Sequence, residues 1–131
     1  MEFIVSHGTR AAGLPFSDAV RVGDVLCLSG QIGNRPGSLE LVPGGIEAET
    51  RQMMENIARI LNASGRSFDD VFKCLVMLAD VSQWTKFNKI YLEYFKSERL
   101  PARSAFGANG LALGAAVEME CWAWAGARAG T

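Results

Sequence analysis

The sequence predicts an α+β fold, a mixed β-sheet with two helices packed on one face. Three observations predict it. Residues 47–63 put Thr50, Met53, Met54, Ile57, Ile60 and Leu61 on one helical face. Residues 117–125 alternate Val117, Met119, Cys121 and Ala123 against Glu118, Glu120, Trp122 and Trp124, the period of a strand. Turn residues divide the rest so that strands come before, between and after two helical stretches. At 131 residues, the chain reads as a single domain over 1–131.

Taken in order, Gly8, Gly13 and Pro15 break any period in residues 1–18, which predicts an edge strand or loop and then a turn at Leu14–Phe16. Val20–Val22 and Val25–Leu28 flank Gly23-Asp24 and read as a hairpin, the second arm running on as an apolar strand to Ile32. Residues 33–37 are a loop, and Leu39–Val42 a short exposed strand. Glu47 and Glu49 suit a helix N-terminus, and Gly65 its left-handed end. Ser67 caps a single turn before a strand at Val71–Leu78. Asp80 or Ser82 caps a second helix reaching to about Lys96, with Trp84, Phe87, Tyr91, Tyr94 and Phe95 as an aromatic core face. Arg103–Phe106 is extended, and residues 107–114 form a glycine-rich loop. The first helix, lying between strands 25–32 and 71–79, predicts a crossover that makes these strands parallel if they share a sheet.

Composition narrows the function. Thirteen basic against fourteen acidic residues give a net charge of −1, with no global pull toward nucleic acid or anionic membrane. No apolar run approaches a membrane span. The N-terminus does not read as a secretory leader, so the cytoplasm is the default expectation. Cys27, Cys74 and Cys121 are odd in number and without a CxxC pair, so they read as small buried hydrophobes, not a disulfide framework or zinc site. With a single histidine, His7, no two-histidine metal site is possible. No metal and no cofactor is expected.

Few residues are placed for chemistry. Arg103 follows Pro101-Ala102 in a stretch turning apolar, where a guanidinium either anchors a carboxylate bidentately or serves a structural ion pair. Glu118 and Glu120 share a strand face, so partial burial of one would raise its affinity for a proton and fit it to act as a base; the alternative, preferred for Glu120, is a carboxylate solvated or salt-bridged across subunits. Gly30, after Ser29, lets backbone approach a ligand or marks a bulge. The face carrying Glu118, Glu120, Trp122 and Trp124 has no third layer to cover it, which predicts a homo-oligomer with sites built between subunits.

Seven segments then fall in order: Pro15–Val20 (PFSDAV), Leu28–Ile32 (LSGQI), Thr50–Gln52 (TRQ), Glu55–Ile57 (ENI), Asn88 with Tyr91, Pro101–Ser104 (PARS) and Val117–Glu120 (VEME). Together they resemble the YjgF/RidA family of reactive-intermediate deaminases. The resemblance implies a chorismate-mutase-like fold, a homotrimer with inter-subunit clefts, and hydrolysis of 2-imino acids to 2-keto acids and ammonia without a cofactor. It implies that Arg103 clamps the substrate carboxylate, that Glu118 and the backbone carbonyl of Ala105 place the attacking water, and that Phe16, Ser29, Gly30 and Asn88 line the cleft. The chain departs from the family pattern at Ala105, where cysteine is common, at Phe16, where tyrosine is common, and at Leu111-Ala112, where Leu-Pro is common. The lost tyrosine hydroxyl is worth about 0.5–1.5 kcal/mol of binding. Other readings are a non-catalytic sensor of small carboxylates, a hydrolase of another imine or enamine, and an RNA-cleaving protein. The last is disfavoured because Glu93 and Glu98 dilute the basic residues between Lys86 and Arg103.

Overall fold

A computed structural model describes residues 1–128. Six strands form one sheet: β1 (Glu2–Ile4), β2 (Ala19–Val22), β3 (Val25–Leu28), β4 (Val71–Leu78), β5 (Ala102–Gly107) and β6 (Val117–Trp124). Their spatial order is β1-β2-β3-β6-β4-β5, with β4 and β5 parallel and every other pair antiparallel. Three helices accompany them: α1 (His7–Ala11), α2 (Gly45–Ala63) and α3 (Trp84–Tyr91).

The alternation of β6 sorts its side chains as the sequence predicts. Val117, Met119, Cys121 and Ala123 are buried in one core with Met53, Met54, Ile57 and Leu61 of α2 and Phe87 and Tyr91 of α3. Glu118 and Glu120 are half-buried and Trp122 and Trp124 exposed on the opposite face. The hairpin forms as expected, Val22 opposite Val25, with Gly23 at φ 59°. Gly65 ends α2 with φ 70°, and Ser67 caps its turn reciprocally with Asp70. The crossover strands β3 and β4 are parallel, yet β6 lies between them and pairs with both.

Several local expectations are corrected by long-range contacts. Residues 7–11 are helical: Ser6 Oγ accepts from Thr9 N at 3.2 Å, and Asp18, twelve residues on, accepts from Ser6 N at 2.6 Å. The strand expected to reach Ile32 stops at Leu28. Cys27 stands opposite Trp122 but Gln31 opposite Met119, so the register slips by one residue and Ser29-Gly30 is a bulge. Residues 39–42 make a single bridge, Leu41 to Asn34, and the facing segment is held to α2 by Asn56, which donates to Ile32 O and Asn34 O, each at 3.0 Å. The second helix is shorter than expected. After Tyr91 it tightens into a 3-10 turn at Leu92–Tyr94, and Phe95 is extended. Tyr94 and Phe95 pack edge-on against Phe68, ring centroids 5.4 and 5.3 Å away.

Gly33 is the tightest contact between this loop and α2. A Cβ there would stand 2.5 Å from the Glu49 carbonyl oxygen and 2.6 Å from its Cα, backbone atoms that cannot step aside. Gly33→Ala is therefore expected to destabilise the fold by about 1–3 kcal/mol, read as a lowered melting temperature. An unchanged melt would show that the loop is not seated on the helix.

Candidate functional site

The site residues expected from sequence fall into two groups. Arg103 lies on β5, an edge strand, opposite Cys74. Cys74 in turn faces Cys121, so Arg103 points to the helix-covered side of the sheet. There α3 presents Trp84, Phe87 and Tyr91, at the i, i+3, i+7 spacing of one helical face. The guanidinium carbon sits 5.4, 5.7 and 4.8 Å from their ring centroids, within the range of cation–π attraction. Among the described residues no carboxylate lies within ion-pair distance of it. The structural ion pair considered from sequence is thus not formed. Asn88, four residues after Trp84 and three before Tyr91, lies half-buried on the same stripe. Ala105, two residues along β5, faces the same side and is half-buried.

The floor of this recess is buried. Burial pushes the Cys74 thiol up to about 11, partly offset by the neighbouring Tyr91 hydroxyl and Arg103 guanidinium. Burial likewise raises Tyr91 well above the usual phenol range, with the Cys74 thiol adding to it. The Tyr91 hydroxyl lies beside that thiol without a well-formed hydrogen bond. Burial drives Cys121 upward too. Cys74 and Cys121 therefore behave as the inert apolar residues the sequence suggested.

The second group lies on the other face. Glu118 stands in a row with Met77 and Phe106 across three strands. The bulge brings Gly30 beneath it, so close that a Cβ at residue 30 would collide with the Glu118 carboxylate. Of the two readings of Gly30, the bulge is observed, and what approaches it within the chain is the Glu118 side chain. Ser29 Oγ donates to Ser17 O at 2.6 Å, which ties down the loop carrying the exposed Phe16. Burial raises the Glu118 carboxyl above its ordinary value, and the charge of Glu120 raises it further.

Within one chain, then, Arg103, Asn88 and Ala105 lie on one side of the sheet and Glu118 and Gly30 on the other, with Ser29 beside Gly30 in the bulge and Phe16 on the exposed loop that Ser29 ties down. The rings around Arg103 were legible only as core. Nothing in a linear pattern pairs a cation on one strand with a helix face twelve or more residues earlier. The open face also carries Phe72 against Trp122, edge-on at 6.4 Å, beside a hollow of about 390 Å³ reaching Leu75 and Glu120. A hollow of about 620 Å³ between α1, the 31–39 loop and α2 contains none of the expected site residues.

A protein-family model described as "Endoribonuclease L-PSP" matches residues 8–125. The chain belongs to this family. Its relatives carry the YjgF and RidA names that the sequence motifs resemble. The RidA of the Antarctic bacterium Psychrobacter superposes with a TM-score of 0.86 at 34% identity, over 95% of this chain and 99% of that one. The YjgF gene product of E. coli superposes with a TM-score of 0.83 at 28% identity, over 95% and 98%. In sequence, this L-PSP family member is 42% identical over 118 residues to a bovine protein named 2-iminobutanoate/2-iminopropanoate deaminase, covering 89% of this chain and 85% of that protein. Family membership accounts for the mixed α+β sheet. Among the described residues, no helix is long and apolar enough to cross a membrane.

Proposed function

We propose that this protein hydrolyses 2-imino acids to 2-keto acids and ammonia, as a homotrimer of chorismate-mutase-like subunits with each cleft built between two of them. The observation that carries this is Arg103. Its guanidinium lies against three rings, half-buried, with no carboxylate among the described residues to neutralise it. A cation so held is a receptor for a substrate carboxylate. The 2-iminobutanoate and 2-iminopropanoate in the name of the bovine relative are carboxylates of this kind.

The inter-subunit cleft follows from the two groups facing opposite ways. One sheet cannot bring its own Glu118 to its own Arg103. The open face, with Phe106, Trp122 and Trp124 exposed, needs a cover. A second copy covers it and brings Glu118 of the partner subunit to Arg103. Substrate carboxylate then binds the Arg103 fork, which holds the imine carbon still. Glu118 of the partner subunit and the Ala105 carbonyl hold a water. As its oxygen bonds to the imine carbon, the carboxylate takes a proton from the water and passes it to the imine nitrogen, giving the carbinolamine. The carbinolamine collapses: the same carboxylate relays the hydroxyl proton to the nitrogen, the C–N bond breaks, ammonia leaves, and the keto group forms with the carboxylate again ionised. Alanine at residue 105 retains the carbonyl this step uses. An endoribonuclease, as the family description reads, would need a cationic track for phosphates, which a chain of net charge −1 with one recessed arginine serves poorly.

The test is a coupled assay in which an amino-acid oxidase makes the imine and semicarbazide traps what escapes hydrolysis. Faster imine loss with enzyme is expected, together with a solution mass near three times 14.2 kDa. Imine loss at the uncatalysed rate overturns the activity, and a monomeric mass overturns the inter-subunit cleft.

A further inference from the structure

We infer that Trp84 selects the substrate: its indole is the wall against which the side chain of the 2-imino acid packs, so that large apolar imino acids are favoured over small or charged ones. The inference rests on the reading of Arg103 as the carboxylate anchor.

The three rings around the guanidinium differ in what else they do. Phe87 and Tyr91 are 1% and 3% exposed and belong to the core. They also pack on each other, ring centroids 5.4 Å apart. Trp84 is 43% exposed. Among the described residues its ring packs on no other aromatic, and its indole N–H has no acceptor. A large apolar surface is therefore open to solvent beside a cation that has no carboxylate partner among the described residues.

Geometry places the substrate against it. A carboxylate held bidentately puts the imine carbon about 5–6 Å from the guanidinium carbon, given N–H···O distances near 2.8 Å. The Trp84 ring centroid is 5.4 Å from that same guanidinium carbon. Where the carboxylate meets the guanidinium edge on the Trp84 side, the side chain leaving the imine carbon runs toward the exposed indole. One helical turn on, half-buried Asn88 supplies the polar neighbour on this stripe. An apolar side chain gains by covering the indole, a methyl group is too short to do so, and a charged side chain loses hydration there.

The experiment measures kcat/KM for imines made from leucine, phenylalanine and alanine, with wild type, Trp84→Ala and Trp84→Phe. Wild type is expected to favour the leucine- and phenylalanine-derived imines over the alanine-derived one by about tenfold or more. Trp84→Ala should bring that ratio close to one, and Trp84→Phe should largely preserve it. The ratio within each variant is the readout, because a looser guanidinium slows all substrates alike and cancels. Trp84 is half-exposed, so both variants are expected to melt like wild type. A uniform loss with an unchanged ratio overturns the selectivity role and leaves the deaminase reading standing. A wild type that accelerates no imine overturns both.

Discussion

Arg103→Ala is expected to lower kcat/KM toward 2-imino acids by about 100-fold or more, with the oligomeric state unchanged and the melting temperature within a few degrees of wild type. A charge-assisted bidentate contact in a recessed site is worth about 3 kcal/mol, and each 1.4 kcal/mol is tenfold. The loss should exceed that of an ordinary binding contact, because in the proposed mechanism Arg103 also fixes the position of the carbon that water attacks. Stability should change little. The three ring contacts contribute about 0.5–2 kcal/mol apiece, but holding a half-buried cation that lacks an anion costs free energy in the opposite direction. Arg103→Lys is expected to recover less than tenfold of the loss. An ammonium keeps the charge but has neither the planar, delocalised group that sits near Trp84, Phe87 and Tyr91 nor the fork that matches a carboxylate. Steady-state kinetics with the coupled assay decide it, and wild-type rates in either variant would remove Arg103 from the site.

The second large effect is expected at a residue without a side chain. Gly30→Ala puts a methyl group where the Glu118 carboxylate lies. The atoms in its way are the end of a flexible side chain, Cδ at 3.0 Å and Cγ at 3.3 Å included, so Glu118 can swing aside at small cost to the fold. A displacement of about 1 Å in a catalytic group costs on the order of 100-fold in rate. The expected result is therefore a near-normal melt with kcat reduced about 100-fold, the opposite of Gly33→Ala, where backbone blocks the methyl group and stability falls. The pH profile gives an independent check. Burial and Glu120 raise the Glu118 carboxyl, so it takes up its proton at a higher pH than an ordinary glutamate. As a base it works ionised, so the rate should fall on acidification sooner than a pKa of 4.5 would give. Glu118→Gln should lose that acid limb along with most of the activity. A limb that persists in Glu118→Gln assigns it to another group.

Both groups of candidate residues were legible as residue types in particular patterns, but their arrangement was not. The motif around Arg103 marks an anchor without saying what surrounds it. Phe87 and Tyr91 are core, as their helical spacing implies, while Trp84 on the same stripe is largely exposed, because the strand it overhangs is at the edge of the sheet. Ser29-Gly30 was readable as the end of a strand. Only the slip between Cys27–Trp122 and Gln31–Met119 shows that the chain bulges there to admit a carboxylate.

By itself the sequence determined what depends on neighbours a few residues apart. The hairpin about Gly23, the amphipathic face of α2, the Gly65 terminus, the Ser67 cap and the alternation of β6 are all set by local sterics and by the 3.6- and 2-residue periods. Tertiary structure alone decided what depends on distant partners. Asp18 holds a helix at His7–Ala11, Asn56 ties residues 32–34 to α2, and β6 enters between β3 and β4. It also put Arg103 and Glu118 on opposite faces of one sheet. The reason is that hydrogen-bond partners and packing neighbours across the sheet are chosen by the fold as a whole, and such choices leave no period in the chain.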